Sequence, residues 1–126
     1  MRPFRTPIRG EVYFPSGVLP PHQSMPHRCV VLSSNSVIAQ QGRNLFVNVA
    51  LIRSAVQQSG KPVPLIPGHS FPVRQVDLPF LTNDSIIETH QIFAVAIQEF
   101  QGRNAEGRLQ PPLLQRVLEG ARRLFT

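Results

Sequence analysis

At 126 residues the chain is long enough for one domain that buries about two thirds of its unfolded surface without disulfide or metal staples. Hydrophobic residues at 41% and charged residues at 16% sit near globular norms, and no apolar run approaches the ~20 residues needed to span a bilayer, which excludes a membrane-spanning helix. The net charge of +6 comes from the first half, where Arg2, Arg5, Arg9, Arg28, Arg43, Arg53 and Lys61 face Glu11 alone, while residues 62–126 balance.

All the basic residues but Lys61 are arginine, whose planar fork matches phosphate oxygens two at a time as a lysine point charge does not. A polyanion is the natural partner, and a merely solubilising surface is the alternative. The start MRPFRTPIRG runs into Glu11 rather than into the apolar core of a signal peptide. The single cysteine, Cys29, lies in an apolar run and cannot form an internal disulfide. A soluble, cytoplasmic protein with one buried thiol is expected.

The 13 prolines, about twice the average usage, imply short segments separated by turns. In chain order, GEVYF (10–14) alternates Val12 and Phe14 against Glu11 and Tyr13 and predicts a strand, as do RCVVL (28–32) and NLFVNVALI (44–52). The Pro-rich 15–26 and the polar 33–44 read as long loops between them. KPVPLIPGH (61–69) has three prolines and suits an edge or a loop, SFPVRQV (70–76) resumes extended structure, and SIIETHQIFAVAI (85–97) supplies one or two strands bent near His90 and Gln91.

From Pro111 and Pro112 the period changes. Leu113, Val117, Ala121 and Leu124 recur on one face of an amphipathic helix. This stripe is expected to dock on a small barrel, with a dimer seam as the alternative. Arg122 and Arg123 suit the negative end of the helix dipole, and Arg116 and Glu119 the wet side. Tyr13 and Phe14 flank the basic half, where strand aromatics belong to a core more readily than to a base-stacking platform. His22, His27, His69 and His90 lack the paired spacings of zinc motifs, so neither metal nor cofactor is expected. Gly-Arg-Asn at 42–44 and 102–104 reads as two short turns rather than a phosphate loop.

Four stretches together resemble the MazF/PemK family of toxins from toxin-antitoxin modules, over the chain apart from an N-terminal arm of about eight residues. Arg9-Gly10-Glu11-Val12-Tyr13 is similar to the family's opening R-G-[DE]-[IV]-[YW]. His27-Arg28-Cys29-Val30-Val31-Leu32-Ser33 resembles R-P-V-L-V-[LI]-S, and Pro67-Gly68-His69 resembles P-[GT]-H. Asp84-Ser85-Ile86-Ile87-Glu88-Thr89-His90-Gln91-Ile92 is similar to D-S-V-V-x-x-[DE]-Q-I, followed by Gly107-Arg108-Leu109 and a terminal helix.

The resemblance implies a single domain over 1–126, an SH3-like small β-barrel with a C-terminal helix, usually a homodimer with a cognate antitoxin protein as partner. It also implies metal-independent, sequence-selective cleavage of single-stranded RNA, in which a ribose 2′-hydroxyl attacks the adjacent phosphate. Arg28, at the base of a strand, would then stabilise charge on the phosphorane. The family's threonine after the long loop is replaced by Arg53-Ser54, so Ser54 would offer the hydroxyl and Arg53 a second phosphate clamp. His90 stands where the family has an acid and is a candidate for proton transfer, against a hydrogen-bonded seam histidine. Arg9, Arg43, Arg53, His27 and Gln91 would bind RNA. Phe93-Ala94 replaces the family's Arg-Thr, and Gln23-Ser24-Met25-Pro26 replaces its E-Q-x-G. These departures favour a second reading, a catalytically degenerate protein that binds RNA or antitoxin in the same groove. The gyrase-poisoning branch of the superfamily acts through an aromatic tail and fits Leu124-Phe125-Thr126 poorly.

Overall fold

The apolar, β-branched runs form six antiparallel strands in a computed structural model that describes residues 6–14, 27–40, 46–100 and 103–125. In chain order these are β1 (Glu11–Tyr13), β2 (Arg28–Val31), β3 (Phe46–Ser54), β4 (Ser70–Val73), β5 (Ser85–Ala96) and β6 (Gly107–Arg108), with helices α1 (Asn35–Gln40) and α2 (Pro111–Arg122). They make one sheet in the order β4-β5-β3-β2-β1-β6, curled into a half-barrel, so the protein is mainly β with a C-terminal helix, as its sequence pattern implies. Among the described residues no helix is long and apolar enough to cross a membrane.

Side chains alternate across each strand, and both faces of this sheet are covered. Val12, Val30, Ala50, Ile52 and Ile87 form one core with Val117 of α2, while Tyr13, Cys29, Val31, Val49 and Leu51 form another with Ile38 of α1 and Phe100. The alternation in GEVYF therefore does not separate a dry face from a wet one. Glu11 is itself only 4% exposed. Its Oε1 accepts the Ile8 N–H at 2.8 Å and the Tyr13 hydroxyl at 2.9 Å, which offsets the cost of removing a carboxylate from water.

The predicted loop 33–44 contains α1. Serine and asparagine mark turns, but they are also the preferred helix caps, and Ser34 accepts the Val37 N–H on Oγ at 3.3 Å and the Ile38 N–H on its carbonyl at 3.0 Å. Ile38 then reaches the core at 3% exposure. β3 continues to Ser54, two residues past the predicted end, which places Arg53 and Ser54 on a strand. The proline-rich 61–69 stays outside the ladder apart from one bridge, Val56 to Pro62, and β4 carries Pro72 on the sheet edge, where a missing N–H is tolerated.

The expected bend in 85–97 is a register shift inside one strand. Val49 pairs with Phe93 and Leu51 with Glu88, so Thr89, His90, Gln91 and Ile92 all stand opposite Ala50. Extra residues on one strand of a pair bend it and re-aim its side chains.

Pro111 and Pro112 occupy the first turn of α2, where a missing N–H costs nothing. The helix docks on the sheet through a wider face than the predicted stripe. Val117 is fully buried, Leu113, Leu114, Leu118 and Ala121 are partly buried against the same core, and Leu124 is 37% exposed. Burying Val117 alone contributes about 1.5–3 kcal/mol. Arg123 donates from Nη1 to the Gly68 carbonyl at 2.8 Å, tying the helix end to the Pro67–Gly68–His69 turn. Gly120 makes close docking possible, because a Cβ there would sit 2.6 Å from both the Phe71 ring and Thr89 Oγ1. Gly120→Ala would gain ~1 kcal/mol of helix propensity, but overpacking two buried neighbours costs about 1–3 kcal/mol. A net loss of about 1 kcal/mol is expected from urea denaturation, and a gain would mean that the helix sits further off the sheet.

Candidate active site

β1 and β2 pair with Val12 opposite Val30, and β2 pairs with β3 with Arg28 opposite Ile52. Continued one residue past β1, the same register sets Phe14 in a row with Arg28 and Ile52. This row is the wall of a cleft of about 860 Å³. His27 and Ser54 extend the wall, and the segments 56–59 and 81–83 close the far side with Gln57, Gln58 and Asn83.

Arg28 is held from two directions. Its Nε donates to Glu106 Oε1 at 2.7 Å and its Nη2 to Oε2 at 3.4 Å, while the guanidinium carbon lies 4.9 Å from the Phe14 ring centroid. Phe14, expected in the core, is instead 39% exposed and serves as the stacking surface for this cation. Tyr13 is the core aromatic, 1% exposed.

Ser54 Oγ accepts the Val56 N–H at 3.3 Å. A hydroxyl can accept and donate at once, so this bond leaves its own proton available for donation. Alternation sends the Arg53 side chain to the opposite face from Ser54, where Nη1 lies 3.6 Å from Glu88 Oε1; Arg53 nonetheless borders the cleft. Both cleft arginines therefore carry a carboxylate partner. Cys29, next to Arg28, is no nucleophile: burial pushes its thiol up to about 12, only partly offset by a hydrogen bond from the Tyr13 backbone.

Of the residues singled out in the sequence, Arg28, Ser54, Arg53 and His27 meet in this cleft. Arg9, His90 and Gln91 do not line it. Arg9 Nε donates to the Leu32 carbonyl at 2.8 Å and its N–H to Asn35 Oδ1 at 2.8 Å, so it fastens the start of β1 to the end of β2. His90 and Gln91 sit on the irregular part of β5; Gln91 is exposed, and His90 Nδ1 is buried with no hydrogen-bond partner among the described residues. Arg43 lies outside the described residues. Glu106 was not foreseeable, because nothing in its spacing links it to Arg28, 78 positions away. Among the described residues no three His, Cys, Asp or Glu side chains converge as metal ligands.

No protein-family profile matches the sequence, and no curated protein matches it. Among solved structures, the chain is similar to an endoribonuclease in complex with its cognate antitoxin from mycobacterial species, with 15% identity, a TM-score of 0.58 and 94% of each chain covered. At that identity the likeness is one of fold.

Proposed function

We propose that this protein is the toxin of a toxin-antitoxin pair, a MazF/PemK-type endoribonuclease that cuts single-stranded RNA at short sequences without a metal, as a single domain over 1–126. The observation that carries the reading is an arginine held by Glu106 and Phe14 at the wall of a cleft that a hydroxyl also lines, Arg28 with Ser54. The structural neighbour, an endoribonuclease bound to an antitoxin, supports the same class, and an antitoxin protein and a second copy of the chain are the proposed partners.

In this reaction the ribose 2′-oxygen attacks phosphorus and the bond to the 5′-oxygen breaks. The 2′-hydroxyl loses its proton, the leaving 5′-oxygen gains one, and the products are a 2′,3′-cyclic phosphate and a 5′-hydroxyl. Arg28 and Ser54 would donate to the non-bridging oxygens as their charge rises. His27 borders the cleft and His90 does not, so the imidazole role in proton transfer would fall to the Nδ1 side of His27, whose Nε2 is buried. Gln57, Gln58 and Asn83 present both donors and acceptors to unstacked base edges, the usual basis of sequence choice on single strands.

The test is incubation of purified protein with RNA in excess chelator, followed by mapping of 5′-hydroxyl ends. Cleavage at a short recurring sequence is expected, and intact RNA at every concentration would remove the reading. Binding of a single strand should also weaken by about 0.7 log unit per log unit of salt for each phosphate neutralised; a flat profile would take the arginines out of the contact.

A second reading, a degenerate RNA- or antitoxin-binding protein, is favoured by the carboxylate partners Glu106 and Glu88 on the two cleft arginines. Salt-sensitive RNA binding with no cleavage of any RNA would select it.

A further inference from the structure

We infer that Glu106 is a positioning residue for catalysis, a carboxylate that locks the Arg28 guanidinium so that its end-on edge faces the substrate phosphate. The inference rests on the endoribonuclease reading above. A guanidinium has five N–H donors in a fixed fork. Glu106 approaches from the side, taking Nε–H at 2.7 Å and touching Nη2 at 3.4 Å, and Phe14 covers one face at 4.9 Å. Among the described residues, what stays open is the edge made by Nη1 and the outer N–H of Nη2, the pair whose spacing suits two oxygens of one phosphate. The Arg28 side chain keeps 19% of its surface exposed and borders the cleft, so that edge has somewhere to point.

Glu106 is fixed before it fixes anything else. Its N–H donates to the Val12 carbonyl at 2.8 Å, and Gly107 beside it pairs with Val12 on the sheet. The Phe80 ring packs so close to Gly107 that a Cβ there would clash with it, so a larger residue would push β6, and the Glu106 carboxylate just before it, outward. Arg28 thus stands on β2, and Glu106, one residue before β6, is tied to β1 through the Val12 carbonyl, the kind of support that holds a catalytic group to sub-ångström tolerance.

Fold stability alone is a weak account of this pair, because partly exposed ion pairs contribute little. Moreover, a carboxylate beside an incoming phosphate repels it. Glu106 therefore opposes ground-state binding while it improves alignment in the transition state, and the two effects carry opposite signs. An ordinary structural contact would not separate them.

Glu106→Ala should lower the single-turnover cleavage rate about 10- to 100-fold, the scale of a misaligned catalytic group. Its affinity for the same RNA carrying a 2′-deoxyribose at the scissile position should be unchanged or tighter. Glu106→Gln, which keeps a carbonyl oxygen for Arg28 Nε, should recover part of the rate. The guanidinium itself is read by NMR: the Arg28 15Nε–1H heteronuclear NOE should fall in Glu106→Ala, and the thermal midpoint confirms that each variant folds. Wild-type cleavage with an undiminished rate in Glu106→Ala, or RNA binding that weakens in step with the rate, would overturn the positioning role. So would an Arg28 NOE equally rigid in both proteins, and that readout needs no catalysis. A wild type that cuts no RNA would instead remove the endoribonuclease reading, and the catalytic role of Glu106 with it.

Discussion

Arg28→Ala is expected to slow RNA cleavage about 10²- to 10³-fold, the loss seen when one fixed donor is removed from a transition state that gains negative charge. Two contributions add in the same direction. The phosphorane loses its bidentate donor, and Glu106, with its partner gone, is left as an uncompensated carboxylate at the cleft. Arg28→Lys should recover little, because an ammonium supplies charge without the planar fork that Glu106 and Phe14 orient. The fold should survive, since an ion pair of this exposure contributes about 0–1 kcal/mol. Single-turnover kinetics measure the first effect and urea denaturation the second. In cells, induction of the wild type should arrest growth and generate 5′-hydroxyl RNA ends, whereas the alanine variant should do neither. Equal arrest by both proteins would remove Arg28 from the mechanism.

Phe100→Ala should cost about 3–5 kcal/mol of stability, a large share of the 5–15 kcal/mol that a domain of this kind has in total. Phe100 ends the 3-10 turn Ile97–Phe100 after β5 and is 1% exposed. Its ring meets Tyr13 edge to face, with centroids 4.9 Å apart and planes at 74°, a geometry that contributes beyond area burial. Tyr13 in turn holds Glu11, so the cavity would loosen a buried carboxylate as well as the second core. The denaturation midpoint should fall by about 2 M urea if the slope is near 2 kcal/mol per M, and Cys29, buried in the same cluster, should become accessible to thiol reagents. Phe100→Leu should lose less than half as much. A loss below about 1 kcal/mol for the alanine variant would mean that the ring is not packed as described.

Much of the architecture was legible in the sequence because it depends on local periodicity. Period-two runs at 11–13, 28–31 and 46–52 and the Pro-Pro start of a 3.6-period stripe at Pro111 need only near neighbours to declare themselves. The helix α1 escaped notice because Ser34 uses the same short side chain for a cap that elsewhere makes a turn. The candidate site was legible in part. Arg28 stood out by its charge at the base of a strand and Ser54 only through the family resemblance, and the register of β2 against β3 brings them to one cleft.

By itself, the amino-acid sequence determined which residues are apolar and at what period, hence the strands, the terminal helix and a basic first half. Only tertiary structure decided what each arginine does. Arg9 meets the Leu32 carbonyl, Arg53 meets Glu88, and Arg28 meets Glu106 and Phe14. The four residues of β5 opposite Ala50 likewise set His90 away from the cleft. The physical reason is one of range: periodicity acts over a turn or two of chain, whereas a guanidinium takes its partners from whatever the closed sheet carries within about 4 Å, however distant in sequence.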